Sequence, residues 1–377
     1  MTIERDSTID IKEGPNYDIW RLPLASNEQF QTYSLDQKLN YLLNFGVMAG
    51  STHNTQPEAF SLNPEGGSIS VFLDKSRVLP ASDVKGRQAC ISTGWAITNI
   101  NIASRYFHLE PNVTVSDINP EDVKPNQEIN KRYIEIAKIK LSGSPSVAVD
   151  IKSLQALQTR RVNRKTYDTT RAIPPPILEH IKNIAESGTT LHLIMKGDLR
   201  IIMLAELQAQ ADGFVANNEK FANELAGWLL PNDTDSYYGM PGDTFNLDNQ
   251  TTREIRDGLA DISKRNSAVI GGFSRSSKKG IESAAFVGML TCRDDIPTSW
   301  VKAGITLGRI ANVLEQEGVS IAIHAGLAEV GWISTSFAKM SRTSEKPVIL
   351  FRAGYSQKEA KLPPHTPRAN IESFLVT

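Results

Sequence analysis

The sequence predicts an α+β protein made of two tandem lobes. Strand-like and helix-like patterns alternate along the 377 residues. A strand followed by a glycine-containing helix occurs once in each half, with Gly94 and Gly304 in matching places. This order favours an internal duplication, although many α+β proteins repeat a strand and a helix by chance, and that alternative stays open.

The first half begins with an amphipathic helix. Ser34 to Gln37 form a capping-box pattern, and apolar residues recur at helical spacing up to Gly50, a residue that often ends a helix: Leu35, Leu39, Leu42, Leu43 and Val47. Ser68 to Leu73 then alternate as a strand does. A longer helix is expected from about residue 85 towards residue 109.

The second half follows a turn-rich stretch, residues 140–150, which we interpret as a linker. The pattern beyond it predicts the following elements: a helix opened by Pro174 to Pro176 and ending near Gly188, a strand at Leu191 to Met195, a helix to about Gly213, a strand at Ala284 to Leu290, and a helix that includes Gly304 to Val313.

Composition excludes several classes of function. The 41 basic and 42 acidic residues contain no basic block, so neither a nucleic acid nor an anionic membrane is expected as a partner. We find no apolar run of about 20 residues and no signal-like start, so a cytoplasmic protein is expected. Cys90 and Cys292 have neither disulfide nor metal-site spacing and are predicted to be buried thiols, with no metal.

A polar loop follows the first helix, at Ser51-Thr-His-Asn-Thr-Gln56-Pro57. It places several hydrogen-bond donors and acceptors within a short stretch, which suits a bound polar ligand. The alternative is a turn whose Asn and Thr side chains only satisfy their own backbone. A second candidate is Arg160-Arg-Val-Asn-Arg-Lys165, because arginine presents a planar fork to phosphate oxygens; as an isolated motif it would be an exposed basic run.

These two motifs, together with Arg352 to Tyr355 and Thr366 to Arg368, resemble the FMN-dependent nitroreductase superfamily. The chain looks like the fused two-lobe branch, sometimes called Acg-like, and the resemblance covers about residues 30–377. It implies a nitroreductase-like fold in which the lobes form an intramolecular pseudo-dimer. The first lobe has the polar loop without the arginine motif, and the second has the reverse, so one composite FMN site is expected.

The resemblance also implies which residues contact FMN. From the loop these are Ser51, Thr52, His53, Asn54 and Gln56. From the second lobe and the tail they are Arg161 and Arg368 at the phosphate, Asn163 where the family usually has serine, Lys165 at the pyrimidine side, Asn218 facing the ring, and the backbone of Ala325 and Gly326 at N5. No catalytic side chain is expected, because hydride chemistry occurs at the flavin N5. His324 is an alternative acid, although a histidine at the end of a helix is more often structural.

Two departures from the family pattern bear on function. Glu58 stands where the family has tryptophan, and Gly50 where it has proline. A polar insertion at about residues 231–280 far exceeds the ordinary loop length of roughly 4 to 6 residues, so it is either a lid or a disordered excursion.

The predicted organisation has an N-terminal arm (1–30), a first lobe (31–145), a second lobe (150–355) and a tail (356–377) that completes the FMN site. The expected function is NAD(P)H-dependent reduction of nitroaromatic or quinone-type acceptors through FMN. The alternatives are a flavin-sequestering protein with a site closed by the insertion, and a scaffold without cofactor. The partners would be NAD(P)H and a small-molecule substrate, with the chain a monomer containing an internal pseudo-dimer or a homodimer.

Overall fold

The computed structural model describes residues 11–125, 131–145, 147, 149–264, 267–340 and 343–376. The start of the predicted arm (1–10), two positions of the predicted linker (146 and 148) and two of the insertion (265 and 266) lie outside these residues. The helices are α1 (Asn27–Gln31), α2 (Leu35–Gly46), α3 (Arg87–Tyr106), α4 (Ile151–Thr159), α5 (Pro175–Asn183), α6 (Leu199–Asn217), α7 (Glu219–Trp228), α8 (Asn249–Ala260), α9 (Ser267–Glu282), α10 (Pro297–Gln316), α11 (Gly326–Glu329) and α12 (Gly331–Met340). The strands are β1 (Glu58–Asn63), β2 (Ser68–Asp74), β3 (Glu110–Val115), β4 (Tyr133–Ser142), β5 (Thr189–Met195), β6 (Leu229–Leu230), β7 (Met240–Pro241), β8 (Phe286–Cys292), β9 (Val319–Ile323) and β10 (Lys346–Tyr355).

Two four-stranded antiparallel sheets define the two lobes. The first lobe has the strand order β1-β2-β4-β3, and the second has β5-β8-β10-β9. Each strand of one sheet therefore has a counterpart in the other, with α2 and α5 ahead of the sheets and α3 and α10 in equivalent positions within them. The mixed helix and sheet composition confirms the predicted α+β class. The matched strand order is what an internal duplication would leave.

The long helices α3 and α10 cross at their glycines and join the lobes. A Cβ atom added to Gly94 would collide with the Val301 carbonyl, and one added to Gly304 would collide with the Ile91 carbonyl. Thr98 Oγ1 also donates to the Ile305 carbonyl at 2.8 Å. Glycine at both positions therefore lets the helix backbones approach closely. The largest hydrophobic cluster includes buried residues of both sheets and both helices.

The first helix follows the prediction at its start and ends earlier. Ser34 Oγ accepts from Gln37 N at 3.2 Å, and Gln37 Oε1 accepts from Ser34 N at 2.9 Å, so the capping box is confirmed. Helix α2 ends at Gly46 and passes through turns towards Gly50. The linker prediction is wrong at residues 140–142, because β4 continues through Ser142 as the partner of β2 and β3.

The insertion is longer than predicted and is folded. A short turn joins β1 to β2, whereas residues 196–285, which contain α6 to α9, separate their counterparts β5 and β8. Helices α7 and α8 have a small core of their own: Ala222, Ala226, Leu229, Ile255 and Leu259. The described part of the insertion is thus an ordered subdomain, which removes the disordered alternative for those residues.

The described part of the N-terminal arm packs against the C-terminal tail. Trp20 is buried, and its Nε1 donates to the Thr366 carbonyl at 2.8 Å, while the ring of His365 lies over it with centroids 4.4 Å apart. Arg368 N donates to the Asn16 carbonyl at 2.8 Å. The arm and tail together close one side of the polar loop. Among the described helices, none combines the length and apolarity needed to cross a membrane.

Candidate functional site

The polar loop between α2 and β1 has an unusual backbone. His53, Asn54 and Gln56 have φ angles of 49°, 56° and 52°, in the left-handed region that residues other than glycine rarely adopt. Such a conformation persists only where surrounding contacts fix it, and it concentrates at ligand-binding loops. Ser51 Oγ accepts from Gln56 N at 2.9 Å and closes the loop on itself, with Thr52 at the start of its single 3₁₀ turn.

Arg368 holds this loop in place through hydrogen bonds from its guanidinium. Its side chain is 3% exposed, with Nε donating to Val47 O and Nη2 to Ala49 O, both at 2.9 Å. Nη1 donates to Asn54 Oδ1, Thr366 Oγ1 and the Pro367 carbonyl. The arginine predicted from sequence to bind phosphate is therefore engaged mainly with protein oxygens and shapes the loop.

The loop amides bind the insertion and the tail. Asn54 Nδ2 donates to the carbonyls of Gly239 at 3.0 Å and Pro367 at 2.9 Å. Gln56 Nε2 donates to the Tyr237 carbonyl at 2.7 Å, and its Oε1 accepts from Ala369 N at 3.0 Å. These two predicted flavin-binding side chains are hence held by three parts of the chain: the first lobe, the insertion and the tail.

The arginine motif runs between the two lobes as an extended segment. Val162 forms a parallel bridge with Ile321 of β9, so alternate residues of the segment face opposite sides. On one side, Asn163 is buried and donates to Ser356 Oγ at 2.9 Å, which ties the segment to the second lobe. On the other side, Arg160 donates to the Met48 carbonyl at 2.9 Å and lies 4.6 Å from the centroid of the Trp95 ring.

Arg164 continues the face of Arg160 towards the polar loop and the insertion. Its guanidinium lies 4.2 Å from the centroid of the Phe245 ring. Desolvation lowers the pKa of His53 and of His324, and the charge of Arg164 lowers both further. Nearby, Arg352 is 1% exposed and donates to the carbonyls of Arg164 at 2.7 Å and Lys165 at 3.0 Å. The arginine segment and strand β10 thus bring Arg164 and Arg352 close together.

The site contains three buried arginines, Arg160, Arg352 and Arg368, and a partly buried one, Arg164, with few carboxylates to neutralise them. In the described chain, none of Arg160, Arg164, Arg352 and Arg368 forms an ion pair with a carboxylate. Desolvation lowers the pKa of Arg160 and of Arg164 to about 10 and that of Arg368 to about 9, and it lowers that of Arg352 as well. Because a buried charge is costly unless a counter-charge is present, we call these four the arginine cluster and regard it as an anion site.

Two carboxylates border the arginine cluster. Burial raises the pKa of Glu58 to about 7, and neither of its oxygens has a hydrogen-bond partner in the described residues. Burial also raises the pKa of Glu315, whose Oε1 accepts from Thr159 Oγ1 at 2.7 Å and whose charge interacts with Arg160 and Arg161. Protonation of Glu58 would leave more of the positive charge of the cluster uncompensated.

Three imidazoles add unpaired polar atoms. Desolvation lowers the pKa of His53 to about 4 and keeps the pKa of His324 and His365 well below 6.5, so all three are neutral near pH 7. Within the described chain, His53 Nδ1, His324 Nε2 and His365 Nδ1 are buried and have no hydrogen-bond partner. A ligand with several hydroxyl or N–H groups would satisfy such atoms.

The other predicted residues lie at varied distances from this centre. Ala325 and Gly326 directly follow His324, where β9 gives way to α11, and the charges of Arg352 and Arg164 act on that histidine. Lys165 Nζ reaches the surface and donates to the Lys361 carbonyl at 3.0 Å. Asn218 is exposed and caps α7 by accepting from Phe221 N at 3.2 Å.

The insertion is attached to the first lobe beside the loop. Glu224 of α7 accepts from Ala81 N at 2.8 Å and from Ser82 N at 3.0 Å. Phe221 meets His53 edge to face, with ring centroids 6.3 Å apart. Together with Phe245 on Arg164, these contacts make the insertion one wall of the site.

The sequence predictions missed Arg160 and Arg164 although both belong to the quoted motif. They selected Arg161, Asn163 and Lys165, the other face of the same segment. The signal that could have found them is the two-residue alternation of an extended chain. In the part of the chain that the structure describes, no group of three or more His, Cys, Asp or Glu side chains is placed to hold a metal ion.

No family model matches the chain. It is 22% identical over 334 residues to two proteins of Mycobacterium tuberculosis, from strains H37Rv and CDC 1551, both described as uncharacterized; the match covers 87% of this chain and 89% of each relative.

The solved structures to which it is similar include the FMN and NADPH-dependent nitroreductase NfnB from Sphigopyxis sp. strain HMH (15% identity, TM-score 0.38, 59% of this chain and 96% of that one). They also include NfnB from Mycobacterium smegmatis in complex with NADPH (13%, 0.39, 59% and 96%) and a Bacteroides fragilis nitroreductase with bound FMN (12%, 0.36, 59% and 97%). All three of these proteins are described as nitroreductases with FMN as cofactor or ligand.

Proposed function

We propose that the chain is an FMN-dependent oxidoreductase of the nitroreductase type, which uses NAD(P)H to reduce nitroaromatic or quinone-type acceptors. The observation that supports this most is the arginine cluster, which lies against the polar loop with few carboxylates. A flavin mononucleotide would bring a phosphate dianion to the arginines and ribityl hydroxyls to the unpaired imidazole nitrogens. The residues present therefore fit the cofactor.

Bound FMN would supply hydride acceptance and donation at N5. In this chain, Arg161 and Arg160 would hold the phosphate. Neighbouring side chains of an extended segment point apart, but the charges of both arginines act on His365 and on Glu315, which supports a shared place for the phosphate at the start of the segment. Arg164 would stabilise negative charge on the ring system, in the place that the sequence assigned to Lys165, because its charge acts on His53 and its guanidinium lies on the Phe245 ring. The backbone of Ala325 and Gly326 would face the ring edge.

One FMN per chain is expected, because only one arginine segment is present. The test is titration of apo-protein with FMN and with riboflavin, for wild type and Arg161→Gln. Loss of one charge-assisted hydrogen bond should weaken FMN binding about ten- to hundredfold and leave riboflavin nearly unchanged. Arg253→Gln, an exposed arginine of α8, is the control. Equal losses for both flavins would mean that Arg161 supports the fold and not the phosphate.

A second candidate function is flavin sequestration, favoured by the way the insertion lies on the loop. The carbonyls of Tyr237 and Gly239 accept hydrogen bonds from the Gln56 and Asn54 amides. The insertion must therefore move before the loop can change its conformation to admit NAD(P)H beside the flavin. Access would then limit reduction by NAD(P)H. Excision of residues 231–280 would cut α9, which packs on α6, so point variants are the better test.

Glu224→Ala removes the attachment of α7 to residues 81 and 82 without touching the arginine cluster. If the wall limits access, anaerobic flavin reduction by NAD(P)H should accelerate in this variant while the FMN dissociation constant stays the same. Glu254→Ala, on the exposed face of α8, is the control. Rapid reduction of the wild-type protein would favour the reductase, and slow reduction in every variant would exclude the wall as the cause.

A further inference from the structure

A cavity lies between the lobes on the face of α10, and no residue of the arginine cluster lines it. Its volume is about 370 Å³, and it is bounded by β3, α3, α10 and the turn after α5. Ligand sites in proteins commonly begin at about 300 Å³, so a molecule with one ring fits this volume. The proposed flavin chemistry uses none of the residues that line it.

The position of this cavity matches that of the flavin site in the other half of the molecule. Ile305 lines the cavity and directly follows Gly304 in α10. In the same way, Trp95 directly follows Gly94 in α3, and the guanidinium of Arg160 lies over its ring. Glu186 lines the cavity just after α5, as the polar loop follows α2. Strand β3 also lines the cavity. Its counterpart in the second sheet is β9, the strand that precedes Ala325 at the proposed flavin site. The matched folds of the two lobes thus create two equivalent grooves, and this one lacks the arginine segment.

The charges of the cavity are partly compensated. Arg309 and Glu186 form an ion pair, with Nη2 and Oε1 2.6 Å apart, and Arg309 Nη1 also donates to the Ile184 carbonyl. Lys302, about two turns of α10 before Arg309, makes no ion pair with any described residue. One positive charge in the cavity is therefore available to an anion.

The remaining lining has one unsatisfied acceptor and apolar walls. Asn101 Oδ1 is buried and finds no hydrogen-bond donor in the described chain. Val113, Val115 and Ile305 supply the apolar surface, with the two valines on the same face of β3. The cavity thus presents a cation, an acceptor and a surface for a ring.

We propose that this cavity is a binding site for a small aromatic carboxylate that carries a hydroxyl or amino group. The carboxylate pairs with Lys302, the hydroxyl or amino group donates to Asn101 Oδ1, and the ring packs between the valines and Ile305. This assignment is independent of flavin binding, because it involves a different groove.

The test uses isothermal titration of the full chain with 4-hydroxybenzoate. Benzoate lacks the donor group and 4-hydroxybenzamide lacks the charge, so each should bind more weakly. Lys302→Met should weaken 4-hydroxybenzoate about ten- to hundredfold, the effect of losing one charge-assisted contact, and should leave 4-hydroxybenzamide unchanged. Lys152→Met, an exposed lysine of α4, is the matched control.

Asn101→Leu provides a second, independent variant, since it removes the acceptor while nearly preserving side-chain size, and it should weaken 4-hydroxybenzoate more than benzoate. Thermal unfolding of each variant without ligand checks that the fold is intact. The proposal is overturned if 4-hydroxybenzoate shows no saturable binding to the wild-type protein. It is also overturned if the folded Lys302→Met variant binds 4-hydroxybenzoate as the wild type does.

Discussion

Arg164 offers a test in which protein stability and ligand affinity should change in opposite directions. Its guanidinium is desolvated beside Arg352, has no carboxylate partner in the described chain and rests 4.2 Å from the centroid of the Phe245 ring. We predict that Arg164→Met stabilises the apo-protein or leaves it unchanged and weakens FMN binding. A purely structural arginine would give destabilisation without the selective loss of affinity.

The magnitudes follow from what the substitution removes. Replacing buried charge with an apolar side chain of similar size is often neutral or stabilising by about 1–4 kcal/mol. The lost cation–π contact contributes about 0.5–2 kcal/mol, and a methionine sulfur on the same ring recovers about 0.3–1.5 kcal/mol of it. The two ring contributions nearly cancel, and the Arg164 side chain is partly accessible to solvent. The net gain in the free energy of unfolding should therefore fall in the lower half of the first range, between about zero and 2 kcal/mol. Loss of the contact to an anionic ligand should raise the FMN dissociation constant about ten- to hundredfold.

The assay combines urea unfolding of the apo-protein, followed by circular dichroism, with FMN titration followed by flavin fluorescence. Arg171→Met is the matched control, because Arg171 also lies over an aromatic ring, that of Tyr355 at 3.6 Å, but is exposed. The control should not gain stability and should bind FMN normally. An Arg164→Met variant that binds FMN as tightly as wild type would refute the assignment of Arg164 to the flavin site.

Two further predictions concern the fold around the site. Because burial raises the pKa of Glu58 from 4.5 to about 7, the stability linked to this group is present below pH 4.5 and is lost as the pH rises through about 7. Glu58→Gln should therefore gain stability relative to wild type as the pH increases across that window, and a constant difference in urea unfolding from pH 4.5 to 8 would contradict this. Gly304→Ala should destabilise the protein by more than about 1–3 kcal/mol, since its Cβ collides with the Ile91 backbone, whereas Gly213→Ala in α6 meets no atom within 4 Å and should stabilise by about 0.5–1 kcal/mol. Similar unfolding midpoints for the two glycine variants would show that α3 and α10 can separate without loss of stability.

The local elements were predictable because their signals are local. The capping box at Ser34 and Gln37 involves residues three apart, and the helices containing Gly94 and Gly304 have apolar periodicity over several turns. The end of β4 was not predictable in this way, since Ser142 is polar and belongs to a strand only through its pairing with Glu110. Its assignment depends on a long-range partner.

The candidate site was predicted in its segments and not in its contacts. Sequence assigned the loop from His53 to Gln56 and the segment from Arg160 to Lys165 to one site, and in the structure a charge interaction links His53 with Arg164. It did not reveal which face of the arginine segment points inward, because that depends on the bridge between Val162 and Ile321. It also gave the phosphate to Arg368, whose donors are directed mainly at protein oxygens.

The role of Arg368 follows from the electrostatics of the loop. Its guanidinium offers five N–H groups, and the loop together with the tail directs carbonyl and amide oxygens at them, so the positive charge is solvated by protein dipoles. Such dipoles carry no net charge, and the excess positive charge of the arginine cluster therefore remains for an anion to neutralise. A ligand that brings two negative charges would bind to a loop already shaped by Arg368. Since the same loop also depends on the carbonyls of Tyr237 and Gly239, movement of the insertion would change both the entry to the site and the geometry of its wall.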